Sequence, residues 1–121
     1  FRPDVMEILP AHDCVCLPSL WELMPYAALE GAACARPIVA TAVGGVPRIF
    51  ADTQTAVLVP PGDSSAIARA IRWLVENPDQ AKALGTAAFE MVKQSFSIDS
   101  MIAKTLAVYD AVLIQSNGRR S

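Results

Sequence analysis

The stretch Leu17-Pro18-Ser19-Leu20-Trp21-Glu22-Leu23-Met24-Pro25-Tyr26-Ala27-Ala28-Leu29-Glu30 decides the reading of this chain. It begins at the end of an apolar run, Asp13-Cys14-Val15-Cys16-Leu17, whose lack of alternation is the pattern of a strand buried on both faces. Pro18-Ser19 breaks that run. Pro25 suits the first position of a new helix, where its missing N–H is not needed and its φ is already helical. A strand that hands over to a fresh helix N-terminus makes an anion site. The amides of the first turn lack intrahelical acceptors, and the helix dipole favours negative charge there. Two carboxylates bracket the turn, Glu22 in the loop and Glu30 inside the helix. The combination suits a ligand with both phosphate and hydroxyls, such as a sugar nucleotide.

Outward from this stretch the chain alternates. Val5 to Ala11 reads as a short helix with Asp4 as its N-cap. Tyr26 to Cys34 is a helix rich in Ala and Gly, able to pack close to a sheet, and Pro37 to Thr41 is the next strand. Gly44-Gly45-Val46-Pro47 forms a loop, followed by a helical turn through Ala51. Ala56 to Val59 is a third strand, closed by Pro60-Pro61-Gly62. Asp63 or Ser64 caps a helix to about Asn77, with Ala66, Ile67, Ala70, Ile71, Leu74 and Val75 on its apolar face. Asn77 and Pro78 open another helix ending near Ser95. Ser97 starts a last one, to about Gln115, with Ile98, Met101, Ile102, Leu106, Tyr109 and Leu113 as its stripe. This is an α/β order: three short parallel strands flanked by helices, ending in three consecutive helices. No internal repeat or low-complexity linker interrupts it. Ligands of open α/β sheets bind beyond the carboxyl ends of the strands, so the turns after Leu17, Thr41 and Val59 share one rim.

Composition narrows the function classes. The 121 residues suffice for one domain with a real core. A hydrophobic fraction of 53% and a charged fraction of 18% exclude a disordered polar chain. The net charge of −2, with scattered basic residues, gives no electrostatic footprint for nucleic acid. No run approaches the roughly 18 apolar residues of a membrane span, and Phe1-Arg2-Pro3-Asp4 does not open a signal peptide. Cys14 and Cys16 point to one face of a strand while Cys34 lies elsewhere, so buried reduced thiols are expected rather than a metal site. The abrupt start without Met leads us to expect a piece of a longer protein.

The residues carry a resemblance. Pro18-Ser-Leu-Trp-Glu22, seven residues, then Glu30 resembles the Glu-x7-Glu motif of the retaining, group 1 glycosyltransferases of GT-B fold. Further similar blocks follow in order: Arg36-Pro-Ile-Val-Ala-Thr41, Val43-Gly-Gly-Val-Pro47, Ala56-Val-Leu-Val-Pro-Pro-Gly-Asp63, and Phe96-Ser97. The resemblance spans essentially the whole chain. It is to the latter part of the C-terminal, nucleotide-sugar-binding domain, a truncated Rossmann-like unit. It implies an α/β portion over 1–96, a crossing helix over 97–115 and a polar tail over 116–121.

The resemblance also implies roles. Glu22 is the catalytic candidate and accepts hydrogen bonds from donor-sugar hydroxyls. Leu23, Met24 and Pro25 lie in the loop along the sugar, with a backbone amide near Met24 reaching it. The amides of Tyr26 and Ala27 cradle the diphosphate, and Glu30 holds the ribose hydroxyls. No cofactor and no obligatory metal are implied. The partners are a nucleotide-diphospho-sugar donor and a glycan or lipid-linked acceptor bound by an N-terminal domain that precedes this chain. The expected location is the cytoplasm, with peripheral contact at the inner membrane face for the full enzyme. The implied reaction is hexosyl transfer with retained configuration in glycan biosynthesis, by the longer enzyme and not by this chain alone. A catalytically silent nucleotide-sugar-binding or assembly module, or a GT-B-type sugar-nucleotide epimerase, stays open. Three residues depart from the family pattern. Leu23 stands where glycine is common, Pro25 removes one N–H donor, and Arg48 stands where Glu is frequent. A positive φ at Leu23 would strain it. Trp21 and Tyr26 are expected to pack, Trp21 as an anchor under the loop, and His12 is expected to be structural or solvated and not catalytic.

Overall fold

The computed structural model describes residues 2–118, with side chains described to Ile114. Three parallel strands form one sheet in the order β1 (Val15–Leu17), β2 (Ile38–Thr41), β3 (Val57–Val59). Val15 pairs with Ile38, and Val39 with Val57. Helices α1 (Val5–Ile8), α2 (Tyr26–Ala33), α3 (Val46–Ile49), α4 (Ser64–Glu76), α5 (Pro78–Ser95) and α6 (Ile98–Gly118) complete the order, with a 3₁₀ turn at Leu9–Ala11.

Alternation along β2 sends Ile38 and Ala40 to one face and Val39 to the other. On the first face they join Ala28, Leu29 and Ala32 of α2, Phe50, and Ala88 of α5. On the second, Val39 and Val59 pack with Ala66, Ala70 and Leu74 of α4 and Leu84 of α5. The parallel sheet is therefore covered on both faces, as its ladder requires.

Five local expectations need correction. The strand β1 is not buried on both faces: Cys16 is exposed. β1 is an edge of the sheet, and the α4 layer is centred on β2 and β3. Asp4 places no side-chain cap on α1 and instead pairs with the Arg2 guanidinium at 2.7 Å. Pro10 then tightens the end of the segment into 3₁₀ geometry. Asn77 does not cap α5; its side-chain amide donates to the Trp73 carbonyl at 2.8 Å and closes α4. Val75 is exposed and lies off the α4 core face. The backbone of α6 runs to Gly118, three residues past the expected end; of the expected tail, residues 119–121 lie outside the described residues.

Two helix ends carry particular chemistry. The Asp63 carboxylate accepts from the Ala66 amide at 2.8 Å, the N-cap geometry of α4. The end of α2 is a Schellman motif: the Arg36 amide donates to the Gly31 carbonyl and the Ala35 amide to the Ala32 carbonyl. The left-handed position is held by Ala35, at φ 54°, where glycine is usual. A Cβ on Gly85 of α5 would overlap the Ala35 carbonyl oxygen, so α5 docks directly on this corner.

The two candidate caps of α4 are separable by mutation. Asp63→Ala should destabilise the domain by about 1 kcal/mol, through loss of the cap. Ser64→Ala should be near neutral. Chemical denaturation of both variants checks this.

Candidate functional site

Because the strands are parallel, the loops after β1, β2 and β3 emerge at one end, and Glu22 and the start of α2 lie among them. The Pro18–Pro25 loop is fixed from below and from the side. Thr41, buried at the end of β2, donates its Oγ1 hydrogen to the carbonyls of Leu17 and Ser19. The Gly45 amide donates to the Glu22 carbonyl at 2.9 Å. A Cβ on Gly44 would overlap the Glu22 carbonyl oxygen, and one on Gly45 the Leu23 carbonyl oxygen. The β2–α3 loop thus lies backbone against backbone on the loop that carries the motif. Only the paired glycines allow that approach.

Glu22 is half-buried at the rim, and Glu30 is exposed one turn into α2. Among the described residues no ion pair engages either carboxylate. Pro25 is fully buried and stands one residue earlier than expected, at the N-cap, with φ −79° and ψ 68°. That is an inverse γ-turn, and it turns the Tyr26 amide back onto the Met24 carbonyl at 2.9 Å. The Tyr26 amide is therefore occupied, and its expected diphosphate role is corrected. The first intrahelical bond runs from the Leu29 amide to the Pro25 carbonyl. The first-turn amides left without an intrahelical acceptor are those of Ala27 and Ala28. Of the two, Ala27 is exposed, whereas Ala28 is fully buried in the core. No side chain caps this end of α2.

Leu23 has no positive φ; among the described residues, the non-glycine residues that do are Ala35 and Thr53. The departure from glycine at Leu23 is thus accommodated without strain. The packing expected of Trp21 and Tyr26 is corrected: Trp21 is 75% exposed and Tyr26 68% exposed, and Leu23 projects outward beside them. Met24 alone of this group packs onto the core beside α2.

A groove of about 540 Å³ runs along α2, lined by Met24, Tyr26, Glu30, Phe96, Met101 and Lys104 among others. A groove of equal volume lies near the amino ends of β1 and β2, lined by Asp13, Cys14, Arg36 and Pro37 among others, and contains none of the expected site residues. Arg36 there is structural, donating to the carbonyls of Cys34, Pro10 and His12. His12 Nδ1 lies 3.0 Å from the Ile8 carbonyl oxygen, also a structural position. Arg48, in α3, is exposed. Partial desolvation pushes the Cys14 thiol up, with Asp13 adding to the rise, and does the same at the more exposed Cys16, with Cys14 adding there. Such thiols stay protonated and are weak nucleophiles. Among the described residues no group of three His, Cys, Asp or Glu side chains could hold a metal ion. No described helix is long and apolar enough to cross a membrane.

Thr41 is the residue on which this loop most depends. Thr41→Val keeps the shape but leaves the Ser19 carbonyl without its donor, and should cost about 1–3 kcal/mol. Equilibrium unfolding measures the loss, and hydrogen exchange should show faster opening of the Leu20–Met24 amides than in the parent.

Comparison with known proteins follows the same geometry. The family described as glycosyl transferases group 1 matches residues 1–91. The chain is 38% identical to the D-inositol 3-phosphate glycosyltransferase of Streptomyces coelicolor, over 99% of this chain and 27% of that protein. It is 36% identical to the alpha-maltose-1-phosphate synthase of Mycolicibacterium smegmatis, over 89% of this chain and 30% of that protein. The chain thus spans less than a third of the length of these relatives. Anabaena Alr3699/HepE, solved in complex with UDP-glucose, superposes with a TM-score of 0.82 at 27% identity, covering 89% of this chain and 31% of that one. The chain belongs to the group 1 glycosyltransferases, and its three-stranded parallel sheet with flanking helices is part of their GT-B fold.

Proposed function

We propose that this chain is the donor-binding part of a retaining glycosyltransferase that uses a nucleotide-diphospho-sugar. The observation that carries the proposal is the convergence at one rim of an uncapped helix N-terminus and two carboxylates that, among the described residues, lie outside any ion pair. The exposed first-turn amide of Ala27 meets the diphosphate, where the α2 dipole adds about 0.3–1 kcal/mol. Glu30, one turn further along, accepts from the ribose hydroxyls. Glu22 accepts from hydroxyls of the donor sugar and is the catalytic candidate, with the Leu23–Met24 backbone alongside. UDP and UDP-glucose in structures of HepE support this ligand class.

The reaction breaks the bond between the anomeric carbon and the diphosphate. Charge develops on the leaving phosphate, and preorganised donors aimed at it provide the stabilisation. The amide and the α2 dipole do this without a metal. The remaining phosphate charge is met by basic residues in the portion of the relatives that this chain does not span. The same portion holds the glycan or lipid-linked acceptor, and the enzyme works in the cytoplasm. The chain alone therefore binds donor and transfers nothing.

Calorimetric titration with UDP and UDP-glucose tests this reading. Glu30→Ala should weaken both by about 1.5–3 kcal/mol, roughly ten- to hundredfold, the worth of hydrogen bonds to a charged group. Glu22→Ala should weaken UDP-glucose and leave UDP unchanged. Unchanged nucleotide affinity in Glu30→Ala would refute the ribose assignment. Sugar transfer by the unmodified chain alone would refute the division of labour.

A further inference from the structure

A third groove, of about 520 Å³, lies at the other end of the sheet from the motif rim. Its walls are Thr53 and Gln54 in the loop that leads into β3, Val57 at the start of that strand, Trp73 near the end of α4, and Gln80 and Leu84 in the first turns of α5. The volume is that of a small-molecule site, roughly 300–1,000 Å³. The two grooves described above carry charged side chains, whereas no residue lining this one is charged. Trp73 is 41% exposed here. Among the described residues no hydrogen bond engages its indole N–H or the side-chain amides of Gln54 and Gln80.

The loop wall is fixed in place. Thr53 is β-branched yet left-handed, at φ 58°, and its amide donates to the Ala56 carbonyl at 2.8 Å. The Ala51 amide donates to Thr55 Oγ1 at 2.9 Å, and the Leu58 amide to the Asp52 carboxylate at 2.9 Å. The last of these bonds also decides what can lie beside β3. The Val59 carbonyl faces β2, where it accepts from the Ala42 amide, so the Leu58 amide, one residue earlier, faces away. A further strand would need that amide, and Asp52 already occupies it. A closed β3 edge leaves β1 as the edge open to additional strands, and keeps the groove on the outside of the sheet.

An uncharged groove with one aromatic face and unengaged amides selects a neutral ligand. A phosphate-bearing polymer finds no cation among the lining residues to meet its charge. A purely apolar ligand would cover the amides and the indole N–H without giving them partners. A pyranose ring meets both demands. Its axial C–H bonds offer a weakly positive, apolar face to the negative face of the indole, and its hydroxyls donate to and accept from carboxamides. We propose that this groove binds a hexopyranose unit of a neutral oligosaccharide, stacked on Trp73 and hydrogen-bonded by Gln54 and Gln80. A glycan held there lies away from the motif rim, so the groove is a point of attachment and not of reaction. The assignment does not rest on the donor-binding reading.

Nitrogen-15 NMR of the full chain tests it, since the chain has two indole signals to follow, from Trp21 and Trp73. Maltoheptaose or mannohexaose should shift the Trp73 indole and the side-chain amides of Gln54 and Gln80, and leave the Trp21 indole in place. Gln54→Ala and Gln80→Ala alter exposed side chains and should melt as the parent does. Each should raise the dissociation constant roughly two- to tenfold, the worth of one neutral hydrogen bond. Trp73→Ala should abolish the response. The affinity of all three variants for UDP should equal that of the parent, so loss of the glycan site and loss of the donor site are read separately. No shift with either oligosaccharide overturns the proposal. So does a shift of Trp21 in place of Trp73, full-strength binding in both glutamine variants, or an equal response to polyethylene glycol, which would mark apolar adsorption.

Discussion

The burial of β2 on both faces and both edges is the constraint from which the other elements follow. Ile38, Val39, Ala40 and Thr41 are all buried, and the strand exchanges ladder hydrogen bonds with β1 on one side and β3 on the other. A strand with no free edge and no solvated face leaves its neighbours little choice. β1 and β3 flank it in parallel, and helices must cover both faces because Ile38, Val39 and Ala40 present only apolar side chains there. Burying each large apolar side chain contributes about 1.5–3 kcal/mol. That stabilisation is shared by α2 and α5 on one face and α4 on the other. The parallel arrangement then delivers all three connecting loops to the same end, and a site can form there.

At that end, Thr41 converts the same constraint into loop geometry. It is the buried polar side chain of the core, and its hydroxyl is directed at the carbonyls that begin the motif loop. The glycine pair of the next loop completes the support by admitting the carbonyls of Glu22 and Leu23. The half-buried Glu22 is thus held by its own backbone, and its carboxylate stays outside any described ion pair. A site for an ionic ligand benefits from such support, since a carboxylate committed to a neighbouring cation would first have to be released.

Much of this was legible in the sequence. Apolar runs punctuated by Pro and Gly locate the three strands, and the Glu-x7-Glu spacing locates the rim. These are signals of local pattern, and local pattern is what a chain states directly. The details that escaped depend on neighbours. The run Cys14–Leu17 reads as fully buried, but Cys16 faces outward because β1 is an edge. Pro25 has a φ compatible with both N1 and N-cap, and only ψ, set by the burial of the ring, separates the two. That one-residue difference occupies the Tyr26 amide and leaves Ala27 with the accessible free donor. Trp21 has the composition of a core residue, yet it is displayed at the rim. The absence of positive φ at Leu23 likewise depends on the path of the loop and cannot be read from its residue type.

The corner at Ala35 bears on the order in which the domain assembles. A left-handed alanine costs roughly 1–2 kcal/mol, which the two Schellman hydrogen bonds at the end of α2 offset in part. α5 then seats on this corner, its Gly85 lying against the Ala35 carbonyl. Residues 35 and 85 are fifty positions apart. The turn that feeds β2 into the sheet is consequently completed by a helix made much later in the chain. A nascent polypeptide ending before α5 holds the strands in its sequence but not the contact that sets their entry angle. Final registration of the sheet should therefore follow synthesis of α5, which makes the domain one cooperative unit in place of a sheet that matures first and collects its helices afterwards.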